Sequence, residues 1–405
     1  MKNILKGYSI SNMLLFCLVA TLPFYNITFL DFELTLTVIL FASIILVSSL
    51  DVVVRGGVNK PLSFAVLHFC FLMLAAISTV WIVQDTANNA LLKSVFYSVA
   101  FLAMIRGASR DSRFKTLSTV LRGASVGVIF YFIISGLALI YTGNVFSIFS
   151  SFSVNGFSVE LYRSVDLLFG GDGVFHRSEL RRNAMAEIFA FTCLVPLVFS
   201  EYIKPSKLDF FASGLSFFAL LATFSRRGLI TVVLVVLIVL TLRDGKKLVT
   251  AAVGVVLGVI LYITFTVLES QNRFVFGGEL SRINQYKEAY SGFMDNIVFG
   301  LGYAAKVDNS SPFGGVYTHN YWIGNAYMLG VIGLALSLAI TVVIIKSLVV
   351  PFQKRRELYC LLLVIPLIGM AVGATVEGIY TPIGWIVFFL CFAYDRELKS
   401  RNTFR

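Results

Sequence analysis

Charge is what this chain has least of: Asp, Glu, Lys and Arg supply 14% of its 405 residues, where soluble domains carry about 25%. That leaves too little polar surface to coat a globule in water, and it excludes a charge-solvated disordered chain. Cysteine is sparse and scattered. Cys17, Cys70, Cys193, Cys360 and Cys391 stand singly inside apolar runs, which excludes a disulfide framework and zinc-ligand spacing. With three histidines a dedicated metal site is not expected. No phosphate-binding Walker motif, no HExxH and no nucleophile elbow occurs. What is there is apolar: 58% hydrophobic residues, 38 Phe against 8 Pro, and a mean hydropathy of +0.85. The chain reads as a membrane protein. Its net charge of +11 would suggest nucleic acid in a soluble protein, but here it fits basic cytoplasmic loops beside anionic lipid. No nucleic-acid partner is expected.

A helix needs about 20 apolar residues to cross the hydrocarbon core. Stretches near that length predict about 12 transmembrane helices, at 10–30, 33–54, 61–83, 87–105, 116–142, 183–203, 208–225, 228–242, 248–268, 322–346, 358–379 and 382–395. The fold class expected is an all-α integral membrane protein, one polytopic domain over 1–405. The first run follows Lys2 and Lys6, lacks a small-x-small cleavage site and is soon followed by a second run, so no cleavable signal peptide is read. Alternate connections hold 21 of the 33 basic residues, from Lys2 and Lys6 to Lys399, Arg401 and Arg405. The positive-inside rule makes that side, and both termini, cytoplasmic.

Two opposite-face connections are long, 143–182 and 269–321, and long loops in compact proteins tend to be lids or binding segments. They hold Arg163, His176, Arg177, Arg181, Arg182, Arg273, Arg282, Lys287, Lys306 and His319, and Arg226 with Arg227 end a span on the same face. A locally basic outer face runs against the positive-inside trend. An anionic ligand would account for it; charges solvated or paired with headgroups are the alternative.

Three segments carry the chemistry. In Phe224-Ser225-Arg226-Arg227-Gly228 two guanidiniums stand at a tight turn between apolar stretches, costly near hydrocarbon unless paired or facing a cavity. Arg grips phosphate bidentately, and snorkelling to headgroups is the competing explanation. Glu187 and Glu377, also near outer span ends, could balance these charges. In Thr318-His319-Asn320-Tyr321, His319 stands before an apolar helix, whose N-terminus favours the neutral imidazole that a general base needs. A structural interfacial histidine is the alternative. Gly330 and Gly333, one turn apart, read as close helix packing. The third segment places Arg282 ahead of Gly300-x-Gly302, which lacks a strand–helix unit and a third glycine and so reads as a tight turn, not a dinucleotide fingerprint.

In this order on a many-span chain, Ser225-Arg226-Arg227-Gly228, Arg282 with Gly300-x-Gly302, and His319-Asn320 with Gly330-x-x-Gly333 resemble the O-antigen ligase and Wzy-type polymerase superfamily. The resembling core spans about 183–345; the first five spans match in hydropathy only. The resemblance implies a GT-C-like glycosyltransferase of the bacterial inner membrane, with 143–182 and 269–321 as periplasmic loops. It implies an undecaprenyl diphosphate-linked glycan donor, an acceptor that is lipid A-core or a lipid-linked repeat unit, surrounding membrane lipids, and neither metal nor cofactor. His319, Arg226 and Arg282 are then the catalytic candidates. Arg227, Arg177, Arg181, Arg182 and Asn320 are candidates for binding diphosphate or glycan. Ligase and polymerase differ only in acceptor, and the ligase is preferred; a flippase or transporter, which commonly shows internal repeats and midplane polar groups, is the reading from another class.

Overall fold

A computed structural model describes residues 10–24, 27–29, 34–35, 39–45, 63–78, 95–96, 98–104, 113–141, 175–177, 182–223, 226–244, 277–303, 305, 320–355, 357–371 and 382–393. Helices dominate them: α1 Ile10–Ala20, α2 Ser63–Ser78, α3 Arg113–Tyr141, α4 Arg182–Phe199, α5 Lys207–Thr223, α6 Arg226–Asp244, α7 Gly277–Asp295, α8 Tyr321–Arg355, α9 Val364–Ala371 and α10 Pro382–Ala393. Beside them lies a three-stranded antiparallel ribbon of order β2-β1-β3, with β1 Ile27–Phe29, β2 Leu34–Thr35 and β3 Phe175–Arg177. Among the described residues two helical stretches, Arg113–Leu137 and Tyr321–Val349, are long and apolar enough to cross a membrane, and six shorter apolar helices accompany them. The predicted span at 248–268 lies outside the described residues.

Most predicted spans fall on helices, with two instructive shifts. The run predicted as one span over 10–30 stops being α-helical at Ala20, because Pro23 follows in a 3-10 turn and β-branched Ile27 and Thr28 pair with β3 instead. The arginines placed at a tight turn are the first two residues of α6.

The chain packs as two compact units, Met1–Gly57 with Ala103–Val255 and Phe392–Arg405, and Val58–Leu102 with Val256–Cys391. In the first unit α1 lies against α3, and α4 packs on α3, α5 and α6. Tyr131 of α3 joins Phe24 and Phe189 at ring distances of 5.7 and 5.8 Å. Ser206 and Asp209 cap α5 reciprocally: the Asp209 amide donates to Ser206 Oγ (3.3 Å), and Asp209 Oδ2 accepts from the Ser206 amide (2.8 Å) and hydroxyl (2.7 Å). Ser125 of α3 donates to the other carboxylate oxygen at 2.6 Å, tying the two helices together. In the second unit α8 packs on α2, α7 and α9.

The outward faces are the inverse of a soluble protein's. Phe130, Ile133 and Leu137 of α3, Phe210, Phe211 and Phe218 of α5, and Leu338, Val342 and Ile345 of α8 are exposed, whereas Ser125, Thr192, Ser216 and Thr231 are buried. Thr192, Ser216 and Thr231 each donate to the carbonyl one turn back, and Ser125 donates to Asp209, which satisfies them without water.

Candidate functional site

Arg227 sits in the first turn of α6 and forms an ion pair with Glu187 of α4, the two side chains only 6% and 4% exposed. Gly228 eases this meeting. A Cβ there would lie 3.1 Å from the Ala186 carbonyl and methyl and would displace the end of the Leu220 side chain, so glycine lets the start of α6 close onto α4 and α5 without adjustment. The Ser-Arg-Arg-Gly motif is therefore a packing device as well as a source of charge. Arg226 precedes this pair in the chain, and its main chain opens the helix. Of the other basic candidates in the first unit, Arg177 lies in β3 opposite Ile27, and Arg182 is the first residue of α4. Arg181 lies outside the described residues.

In the second unit Arg282 belongs to α7, and its helix leads into a turn at 296–299 and then Gly300 and Gly302, both at positive φ (65° and 100°). The predicted tight turn is there. Its partner is a break in α8, where Gly330 adopts φ 65° and ψ −159°. Gly330 was read as a packing glycine inside a continuous helix. It instead interrupts the helix, because its conformation is one L side chains rarely adopt. The orphaned backbone groups of the break are met by the turn: the Leu301 amide donates to the Tyr327 carbonyl (3.0 Å), the Gly302 amide to Met328 (2.6 Å), and the Val331 amide to the Ile297 carbonyl (2.7 Å). A Cβ on Gly300 would strike the Met328–Gly330 backbone, and one on Gly330 the Val298 carbonyl. Gly333 completes the device, since a Cβ there would collide with Leu329 and stand 2.9 Å from the Asn325 carbonyl. The two glycine motifs, thirty residues apart in sequence, are thus two halves of one backbone lock.

Asn320 starts α8 as its cap. Its Oδ1 accepts the amides of Trp322 and Ile323, both at 3.1 Å, while its Nδ2 donates to the Ala371 carbonyl at the end of α9 (3.3 Å). His319 immediately precedes it and lies outside the described residues, as do Ser225 and Glu377. His68 does not compete for a chemical role: it is buried in α2, its Nε2 2.6 Å from Ser98 Oγ and its ring edge-on to Trp385. His176 lies in β3. Sequence reasoning weighed Glu187 but could not pair it, and it missed the docking of the turn on the helix break, for which no local signal exists.

Residues 211–338 match the family described as O-Antigen ligase. The chain thus carries an O-antigen ligase family domain, in line with the resemblance to the O-antigen ligase and Wzy-type superfamily. The matched stretch runs from α5 to the middle of α8, about a third of the chain. It contains Arg226, Arg227, Arg282, His319, Asn320 and both glycine motifs, and leaves Arg177, Arg181 and Arg182 outside. Members of this family are membrane enzymes that act on glycans. None of the curated proteins matches the chain.

Proposed function

We propose that the protein is an O-antigen ligase of the bacterial inner membrane. It transfers polysaccharide from undecaprenyl diphosphate to a lipid A-core acceptor at the periplasmic face, in lipopolysaccharide biosynthesis. The observation that carries the reading is that the family match encloses the Arg226-Arg227, Arg282 and His319-Asn320 segments in one stretch. Diphosphate is a good leaving group, so no general acid is required. Arg226 and Arg282 stabilise the charge that develops as the sugar–phosphate bond breaks. Arg227, committed to Glu187, holds the start of α6 and thereby Arg226. His319, beside the capped end of α8, takes the proton of the acceptor hydroxyl as that oxygen attacks the anomeric carbon, and direct attack inverts its configuration. The diphosphate leaves with the bonding electron pair, and this chemistry asks for neither metal nor cofactor.

The test is a transfer assay on the purified protein offered lipid-linked donor together with lipid A-core and with lipid-linked repeat units. Transfer to lipid A-core is the expected result; transfer only to lipid-linked repeats would make the protein a polymerase. In the same assay His319→Ala should lower the single-turnover rate by about 10²–10⁴, the usual worth of a positioned base. Donor affinity should stay unchanged, because the arginines provide that grip. Equal losses in rate and affinity would make His319 a donor ligand instead.

A further inference from the structure

The turn that locks the α8 break carries an exposed apolar surface. Ile297, Val298 and Phe299 are 46%, 50% and 56% exposed, and Met294 and Tyr290, one and two turns back along α7, extend the same stripe. In water such a patch would be a liability at the tip of a loop. Two observations place it elsewhere.

The first is depth. The Ile297 carbonyl is bonded to Val331, and Leu301 and Gly302 to Tyr327 and Met328. All of these partners lie inside the stretch Tyr321–Val349 that is apolar and long enough to cross a membrane. At a rise of 1.5 Å per residue, Gly330 stands about 13 Å along α8 from Tyr321, in a stretch of 29 residues that exceeds a hydrocarbon core about 30 Å thick, which sets the turn in the outer part of the core. The second is continuity. Val331 and Ile332, adjoining the turn, are themselves exposed, and the exposed face runs on through Leu338, Val342 and Ile345. The tip residues prolong the lipid-facing side of α8.

We propose that α7 and the turn after it form a re-entrant segment whose tip, Ile297–Phe299, is immersed in the acyl chains of the bilayer. Irregular backbone survives at membrane depth only where its polar groups are met by protein. Much of the turn meets it: the amides of Gly300, Leu301 and Gly302 and the carbonyls of Asn296 and Ile297 are bonded. Asp295 and Asn296, exposed beside the tip, mark the headgroup level, and Lys287 and Glu288, exposed two turns earlier on α7, stand in water. The stretch 269–321 then holds a hydrocarbon-anchored tip within it. This holds whichever acceptor the enzyme uses.

Single cysteines in the full-length protein test this, with the parent chain and its five native cysteines as the baseline. In membrane vesicles of both orientations, Lys287→Cys and Glu288→Cys should react with a membrane-impermeant maleimide. Val298→Cys and Phe299→Cys should react at least about tenfold more slowly until detergent is added, because the reactive thiolate is excluded from hydrocarbon. A nitroxide on either tip cysteine should collide with oxygen more often than with a water-soluble nickel chelate. Should one tip variant fail to accumulate, the other reads the same surface. Labelling of the tip from water as fast as Lys287→Cys, or preferential collision with the nickel chelate, overturns the proposal.

Discussion

The two units hold their motif residues by opposite means. In the first, a buried ion pair between Glu187 and Arg227 fastens α6 to α4; in the second, glycines at 300, 302 and 330 let backbone meet backbone with no charge involved. The ion pair depends on side chains that are present, the glycine lock on side chains that are absent. An ion pair in apolar surroundings costs desolvation that only its partner offsets, so it fails abruptly when one member is removed. A backbone lock fails when a Cβ intrudes, and its cost is set by strain and contact.

The comparison breaks most visibly at the ion pair. Glu187→Ala should destabilise the purified protein by about 3–5 kcal/mol, the usual effect of leaving one buried charge uncompensated, measured as a fall in thermal unfolding temperature. The double variant Glu187→Leu with Arg227→Met should regain most of that stability, since well-packed apolar replacements of a buried pair are often neutral or better. Transfer in the double variant reads the rest. If Arg227 merely fastens the helix, activity returns with stability; persistent loss at restored stability would assign Arg227 to the donor itself.

A loss of another kind is expected at the glycine lock. Gly330→Ala must place a Cβ at positive φ and against the Val298 carbonyl, a strain of about 1–3 kcal/mol before any contact is counted. Gly300→Ala meets the other side of the same interface. Because both disrupt one contact, the double variant should lose less than the sum of the single losses. Additive losses in unfolding temperature would show that the turn and the break are held independently.

What was legible in the sequence follows the same division. Charged residues in apolar surroundings announce themselves, so Arg226, Arg227 and Glu187 were singled out; the pairing of Glu187 with Arg227 was not, because forty residues and a whole helix, α5, separate them. Gly300-x-Gly302 was correctly read as a turn. Gly330-x-x-Gly333 was misread as helix packing, because a glycine that breaks a helix and one that admits a neighbour leave the same local pattern. Helix positions were legible from hydropathy, but hydropathy does not distinguish helix from strand, which is why the run over 10–30 was drawn past Pro23 into β1. His319, Arg181 and the side chains of Arg226 and Arg282 lie outside what the structure describes, so their roles rest on chemistry and family.

The smallest effect is expected at Asn320, where the two modes of holding meet: a side chain here satisfies backbone. Asn320→Ala removes the acceptor for the Trp322 and Ile323 amides and the donor to Ala371, and loss of such a cap typically costs about 1 kcal/mol. Asn320→Asp keeps the acceptor and places negative charge at a helix N-terminus, where it is favoured, while giving up only the bond to α9. Aspartate should therefore restore most of the unfolding temperature that alanine loses. The same pair of variants separates two roles in transfer. If Asn320 acts by positioning His319, alanine lowers the rate at unchanged donor affinity and aspartate recovers it. If Asn320 instead contacts the diphosphate, aspartate repels the donor, and affinity falls further in Asn320→Asp than in Asn320→Ala although the helix is better capped.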